Sequence, residues 1–158
     1  MANFVRRFMT ATTIVSAAFA PFVVHSGILP HISDAVLDSY PTYEGDDLEL
    51  KVDAHGTHFA LWSPGAEAVR LHLYEDGRNG EAYVSYDLTA DRGNGLWRLS
   101  LPERLYGKFY TFQVKIEGEW LRETPGVWAK AVGANGYRAA IIDMAATNPE
   151  GWESDRYV

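Results

Sequence analysis

Hydrophobic and polar side chains alternate with a period of two along much of the chain from Leu48 onward. The clearest early example lies between residues 68 and 74, where the alternating apolar positions are Val69, Leu71 and Leu73. A strand needs this alternation when one face of its sheet is buried and the other is hydrated. The pattern therefore predicts a strand whose three aliphatic side chains point into a core.

A second run, 109–116, follows the same rule over eight residues. Its apolar side chains share one face, and they are Tyr110, Phe112, Val114 and Ile116. Its polar side chains occupy the opposite face, and they are Thr111, Gln113 and Lys115. We interpret this run as a central strand with its polar set on the hydrated face of the sheet.

Turn signals separate these runs at intervals of roughly 8 to 15 residues, which is typical of an antiparallel sandwich. They include Asp76-Gly77, Asn79-Gly80, Glu117-Gly118 and Asn135-Gly136. Further strands are predicted at 48–52, 57–63, 82–88, 96–101 and 139–144. The predicted fold class is all-β: an immunoglobulin-like antiparallel β-sandwich of about seven or eight strands spanning residues 40–145.

The first part of the chain has a different character. Residues 1–33 contain Arg6 and Arg7 but no acid, and the run 8–24 is small and apolar. A basic start before an uncharged apolar stretch predicts a signal peptide over 1–26, cleaved before Gly27. A cut after Ala20 or a helix of the mature protein are the alternatives. Residues 27–39 are interpreted as a linker, and a cleaved leader implies a secreted, periplasmic or cell-surface protein; otherwise the protein is cytoplasmic.

Composition excludes several classes of function. The chain has 158 residues, 21 acidic and 14 basic side chains, a net charge of −7 and no cysteine. Without cysteine there is no disulfide, thiol nucleophile or cysteine-based metal site. The acidic balance argues against nucleic acid and against an anionic membrane surface as partners. The length excludes a complete (β/α)₈ barrel, which needs about 250 residues.

Candidate chemistry is sparse. His55 and His58 lack metal-ligand spacing in a strand context, and no serine stands in a G-x-S-x-G motif. Paired acids such as Asp46 and Asp47 fit a solvated surface better than a two-carboxylate catalytic site. We therefore assign no catalytic residue, no metal and no cofactor, and enzyme activity stays open.

Aromatic residues are abundant: 5 Trp, 9 Tyr and 7 Phe. All five tryptophans follow residue 60, at positions 62, 97, 120, 128 and 152. The ordinary interpretation places each of them in the core of a small β domain. The alternative leaves one or two outside as platforms on which sugar rings stack.

Residues 59–74 have the sequence F-A-L-W-S-P-G-A-E-A-V-R-L-H-L-Y. This run resembles the signature F-x-L-W-x-P-x-A-x-x-V-x-L-x-L-Y of carbohydrate-binding module family 48. Residues 40–48 are similar to the lead-in of type I pullulanases, and 107–114 to their central strand. Residues 131–143 and 147–152 resemble the exit segment that leads into their catalytic barrel.

The resemblance implies an N-terminal module of a type I pullulanase-like debranching enzyme of glycoside hydrolase family 13. The catalytic carboxylates of that family belong to the barrel, which is missing from this chain, so no residue here inherits a catalytic role. Residues 146–158 are interpreted as an exit segment towards that barrel.

The resemblance also implies candidate sugar-binding residues. Trp120 matches a family tryptophan, and Thr111 stands where sugar-binding relatives have a lysine. The expected function is a non-catalytic module associated with an α-glucan such as starch, glycogen or pullulan. The expected partners are that polysaccharide or a glycoside hydrolase barrel in cis. The alternative is a structural docking module that packs on the barrel and binds no sugar.

Overall fold

The computed structural model describes residues 32–91, 93–154 and 156. The predicted signal peptide, 1–26, lies outside the described residues. A short helix, α1 (Asp34–Asp38), occupies part of the predicted linker. The described strands, in chain order, are β1 (Glu49–Asp53), β2 (Gly56–Trp62), β3 (Ala68–Tyr74), β4 (Val84–Asp87), β5 (Thr89–Asp91), β6 (Leu96–Leu101), β7 (Phe109–Ile116), β8 (Glu119–Trp120) and β9 (Ala139–Ala140).

The strands form two antiparallel sheets. The first sheet has the order β1-β2-β6-β5, and the second has the order β4-β3-β7-β8, with β9 also paired to β7. Short 3₁₀ helices at Ala134–Gly136, Ala145–Thr147 and Trp152–Ser154 complete the regular structure of the described residues. The predicted all-β sandwich is confirmed.

The core lies between the sheets, where the predicted apolar faces meet. Val69, Leu71 and Leu73 are fully buried, as the alternation predicts. Phe59 contacts Tyr110 edge-on, with ring centroids 5.2 Å apart, and Tyr110 contacts Phe112 at 5.5 Å. Aromatic pairs in this geometry add to the stabilisation from burial.

Three short pieces of chain cover one edge of the long strand β7. β8 pairs with its last two residues, Thr124 exchanges two backbone hydrogen bonds with Phe112, and β9 pairs with its first two residues. These segments therefore pair with the backbone along this side of β7 without forming a continuous neighbouring strand.

Two predicted strands differ from the structure. The predicted run 82–88 begins only at Val84, and the separate strand β5 follows it in the other sheet. The predicted strand 139–144 is reduced to Ala139–Ala140. Ile141 still lies beside the chain that leads into β7: its N–H donates to the carbonyl of Lys108, and its carbonyl accepts from the Gly107 N–H.

Candidate functional site

The outer face of the second sheet carries both predicted sugar-binding residues. Cross-strand register sets Thr111 opposite His72, and Trp120 opposite Lys115. Residues directly opposite each other in antiparallel strands project on the same face. Thr111 and Lys115 are four residues apart in β7, so they also point to one face of the sheet. Thr111 and Trp120 therefore share a face, which we call the Trp120 face.

A tight turn positions Trp120. Glu117 and Gly118, which link β7 to β8, have φ angles of 51° and 80°. Two successive left-handed residues are typical of the type I′ turn that matches the twist of a hairpin. The Gly118 N–H donates to the Glu67 carboxylate at 3.0 Å. This turn places Trp120 on the two-residue edge strand β8, with 36% of its surface exposed.

An arginine from β3 lies over the Trp120 ring. The Cζ of Arg70 is 4.7 Å from the centroid of the indole. Its Nε donates to Oδ1 of Asp87 at 2.7 Å, and its Nη2 donates to Oδ2 at 3.3 Å. These hydrogen bonds from Arg70 lower the pKa of the Asp87 carboxyl.

Thr111 lies beneath neighbouring polar side chains and is only 2% exposed. Its hydroxyl donates to Oε2 of Glu123 at 2.7 Å, and the Tyr74 hydroxyl donates to the same oxygen. Burial opposes ionisation of Glu123, but these two hydrogen bonds, together with the nearby His72 and Arg138, lower the pKa of the carboxyl. Thr111 lies on the outer face of the sheet, as predicted, but its side chain is not hydrated, because Glu123 covers it. Sugar binding by Thr111 and Trp120 stays a prediction.

Four further residues of the Trp120 face were not selected as candidates by sequence reasoning: Arg70, Asp87, Gln113 and Glu123. Gln113 donates to the carbonyl of Leu121 at 3.0 Å, and its Oε1 lies 3.2 Å from Nε2 of His72. The alternation in 109–116 had placed Gln113 on the polar face of its strand, without a functional role. The register between strands is needed to bring Arg70 and Asp87 towards Trp120.

A second exposed region lies along the first sheet. A groove of about 520 Å³ is lined chiefly by Tyr43, Leu48, Leu61, Trp62, Val127 and Trp128. Val127 is 88% exposed and Trp128 is 64% exposed. We call this region the Trp128 groove.

A buried carboxylate holds the backbone of this groove. Glu49 is 2% exposed and has a φ of 74°, which is rare for a residue with a side chain. Its Oε1 accepts a hydrogen bond from the Tyr110 hydroxyl at 3.0 Å, and its Oε2 accepts one from the Trp128 N–H at 2.9 Å. Burial raises the pKa of the Glu49 carboxyl, although these hydrogen bonds act in the opposite direction. Burial also raises the pKa of Tyr110, as does its proximity to Glu49.

The expectation that the tryptophans form the core is wrong for four of them. Trp62, Trp120, Trp128 and Trp152 are exposed, and only Trp97 packs partly against the core. The core is filled instead by smaller aliphatic side chains and by the trio of Phe59, Tyr110 and Phe112. More aromatic surface is therefore available for contacts than the sequence suggested.

Two other kinds of site are absent from residues 32–91, 93–154 and 156. Within these ranges no group of three or more His, Asp or Glu side chains could hold a metal ion. No helix there combines the length and apolar character needed to cross a membrane.

Comparison with solved structures relates this chain to pullulanases. The pullulanase from Paenibacillus barengoltzii, solved in complex with maltohexaose and α-cyclodextrin, is 40% identical, with a TM-score of 0.71. That match covers 78% of this chain and 19% of the pullulanase. The pullulanase from Bacillus acidopullulyticus is 30% identical, with a TM-score of 0.67, over 73% of this chain and 14% of its own.

Curated relatives and a family model agree with these structures. The pullulanase of Klebsiella aerogenes is 26% identical over 105 residues, which are 62% of this chain and 9% of that protein. This chain thus spans less than a tenth of that relative's length. The model of carbohydrate-binding module 48, described as the isoamylase N-terminal domain, matches residues 47–125, half of the chain. The chain therefore belongs to the carbohydrate-binding module 48 family, in its pullulanase-like form.

Proposed function

We propose that this chain is a non-catalytic α-glucan-associated module of a pullulanase-like debranching enzyme, and that it contacts glucan through Trp120. The observation that carries the proposal is an exposed indole on the outer sheet face of a carbohydrate-binding module. A glucose ring presents an apolar C–H face, which stacks on an indole without any charge requirement. By analogy with aromatic pairs, one such stack contributes about 0.5–1.5 kcal/mol.

Relatives support α-glucan as the ligand class. The Paenibacillus barengoltzii pullulanase was solved with maltohexaose and α-cyclodextrin. A 1,4-α-glucan branching enzyme of Rhodopirellula baltica is 30% identical over 67 residues, 42% of this chain and 9% of the enzyme. In a whole enzyme of this kind, the module would accompany a barrel that hydrolyses α-1,6 branches with two carboxylates.

Affinity electrophoresis tests the binding proposal. The full-length chain is run in native gels that contain glycogen or pullulan, next to gels without polysaccharide. We expect retardation of the wild type, and an association constant about two- to tenfold lower for Trp120→Ala. Trp152→Ala is the matched control, because Trp152 is exposed but belongs to the 3₁₀ helix Trp152–Ser154 and to neither sheet. A wild-type chain that migrates equally in all gels contradicts the proposal.

A second candidate function is docking on a glycoside hydrolase barrel without sugar binding. The Trp128 groove favours it, because Val127 and Trp128 expose large apolar surfaces side by side. Exposed apolar patches of this kind mark interaction surfaces. Gel filtration of this chain with a separately produced pullulanase barrel tests it. Co-elution that is lost in Val127→Asp supports docking, whereas separate elution of the wild-type chain contradicts it.

A further inference from the structure

Arg70 reaches across the second sheet to the ring of Trp120. Arg70 belongs to β3 and Trp120 to β8, and β7 lies between these two strands. The distance of 4.7 Å from Cζ to the ring centroid is within the range of a cation–π contact. Protein therefore already covers part of the indole, and the exposed 36% of Trp120 is the surface left for a ligand.

Asp87 fixes the orientation of the guanidinium group. The two parallel hydrogen bonds from Nε and Nη2 of Arg70 form a fork on one carboxylate, with donor–acceptor distances of 2.7 and 3.3 Å. A forked pair defines the guanidinium plane more strictly than a single point contact does. Asp87 is the register partner of Arg70 in β4, so the neighbouring strand holds the carboxylate in place. The sheet thus fixes Asp87, Asp87 fixes Arg70, and Arg70 lies against Trp120.

We propose that Arg70 is a positioning residue for glucan binding, which with Asp87 fixes the Trp120 indole so that its uncovered surface receives a glucose unit. This inference rests on the proposed function of the Trp120 face. Without this partner the indole would have more rotamer freedom, and the loss of that freedom on ligand binding would lower the affinity. The covered side of the indole is closed to sugar, so the ligand approaches from one side only.

Calorimetric titration of the full-length chain with maltoheptaose, a soluble linear α-glucan, tests the inference. Arg70→Met removes the cation and the fork, and we expect about two- to fivefold weaker binding. Asp87→Asn keeps Arg70 but removes the charge of its partner, and we expect a smaller loss. Lys51→Met is the control, because it removes one positive charge from β1 in the opposite sheet.

An NMR measurement without ligand separates positioning from a general structural effect. The indole Nε1–H signal of Trp120 is assigned with Trp120→Phe. In Arg70→Met we expect this signal to shift and broaden, while the signal of Trp97 in the other sheet stays unchanged. If Arg70→Met does not fold, Asp87→Asn gives the same readout with a smaller change.

The outcomes distinguish the inference from the proposed function. Weaker binding by Arg70→Met and Asp87→Asn, with the Lys51→Met control equal to wild type, supports both. Wild-type binding that neither variant weakens overturns the positioning role but leaves the glucan function intact. A wild-type chain that gives no heat of binding with maltoheptaose and no retardation in glycogen overturns both.

Discussion

Trp120 and Trp128 are both exposed, yet they are held in place by opposite means. Trp120 is held through its ring, which lies against the guanidinium of Arg70, and a surface carboxylate fixes that guanidinium. Trp128 is held through its backbone, whose N–H donates to the buried carboxylate of Glu49. The anchor of Trp120, the Asp87 carboxylate, is exposed to solvent, whereas the anchor of Trp128, the Glu49 carboxylate, is buried.

The difference determines how strongly each region depends on the folded state. A surface ion pair contributes little to stability, because water and salt screen it. A buried carboxylate is tolerated only when its oxygens accept hydrogen bonds, and Glu49 accepts them from Tyr110 and Trp128. The Arg70–Asp87 pair beside Trp120 can therefore be changed without unfolding the sandwich, whereas the Glu49 anchor of the Trp128 groove is tied to the stability of the fold.

Removal of the buried Glu49 carboxylate has the largest expected effect on the free energy of unfolding. Glu49→Ala leaves the Tyr110 hydroxyl and the Trp128 N–H without their acceptor, and each unsatisfied buried donor costs about 1–3 kcal/mol. We expect the free energy of unfolding, measured by urea denaturation, to fall by about 2–5 kcal/mol. Asp87→Ala removes the surface anchor instead and should lower it by no more than about 1 kcal/mol. Equal losses in the two variants would contradict the contrast between the regions.

A methyl group placed against the Glu49 carboxylate should have an intermediate effect on the free energy of unfolding. In Gly126→Ala the new Cβ would overlap the Glu49 carboxylate and displace it from its two donors. We expect thermal and urea denaturation to show a loss of about 1–3 kcal/mol. Gly93→Ala is the matched control, because its nearest neighbour, the Asp91 carboxylate, is 3.6 Å from the new Cβ. A neutral Gly126→Ala would mean that the carboxylate is not confined.

The smallest expected effect is a dependence of stability on pH. Burial raises the folded-state pKa of Glu49 above its ordinary value of 4.5, so the folded chain binds this proton more tightly than the unfolded chain. The contribution of Glu49 to the free energy of unfolding is therefore largest below 4.5 and falls as pH rises through the folded-state pKa. The slope is at most about 1.4 kcal/mol per pH unit.

Glu49→Gln isolates this dependence, because it removes the titrating group. Urea denaturation of both proteins above pH 4.5 avoids the range in which carboxyls with lowered pKa, such as Asp87, lose their contribution. We expect the wild type to lose stability relative to Glu49→Gln as the pH rises. Parallel curves would show that Glu49 does not titrate as its burial implies.

The alternation of side chains was sufficient to predict the central strands. The predicted runs 68–74 and 109–116 coincide with β3 and β7, because strict alternation over seven or eight residues fits one sheet geometry only. The switch between sheets at Leu88 was missed, since the apolar pattern continues through it although the chain changes partners.

The candidate site was predictable only in part. Glu117-Gly118 was identified as a turn signal, and in the structure it joins β7 to β8, which carries Trp120, because turn chemistry is local. The cover over Thr111 was not predictable, since Glu123 reaches it from a segment outside the regular strands. Glu49 was also beyond sequence reasoning. Its left-handed backbone breaks the strand geometry on which a period of two relies, and its partners lie 61 and 79 residues away.

The edge of β7, which is covered by three short segments and not by one strand, affects how the protein behaves at high concentration. A long open strand would offer its free N–H and C=O groups to a second molecule, which is how edge-to-edge aggregation begins. Here β8, Thr124 and β9 take up those groups in separate short stretches, and β8 itself exposes only two residues as a new edge. The sandwich can thus present four exposed tryptophans while leaving little continuous backbone on this side to which a neighbouring chain could pair.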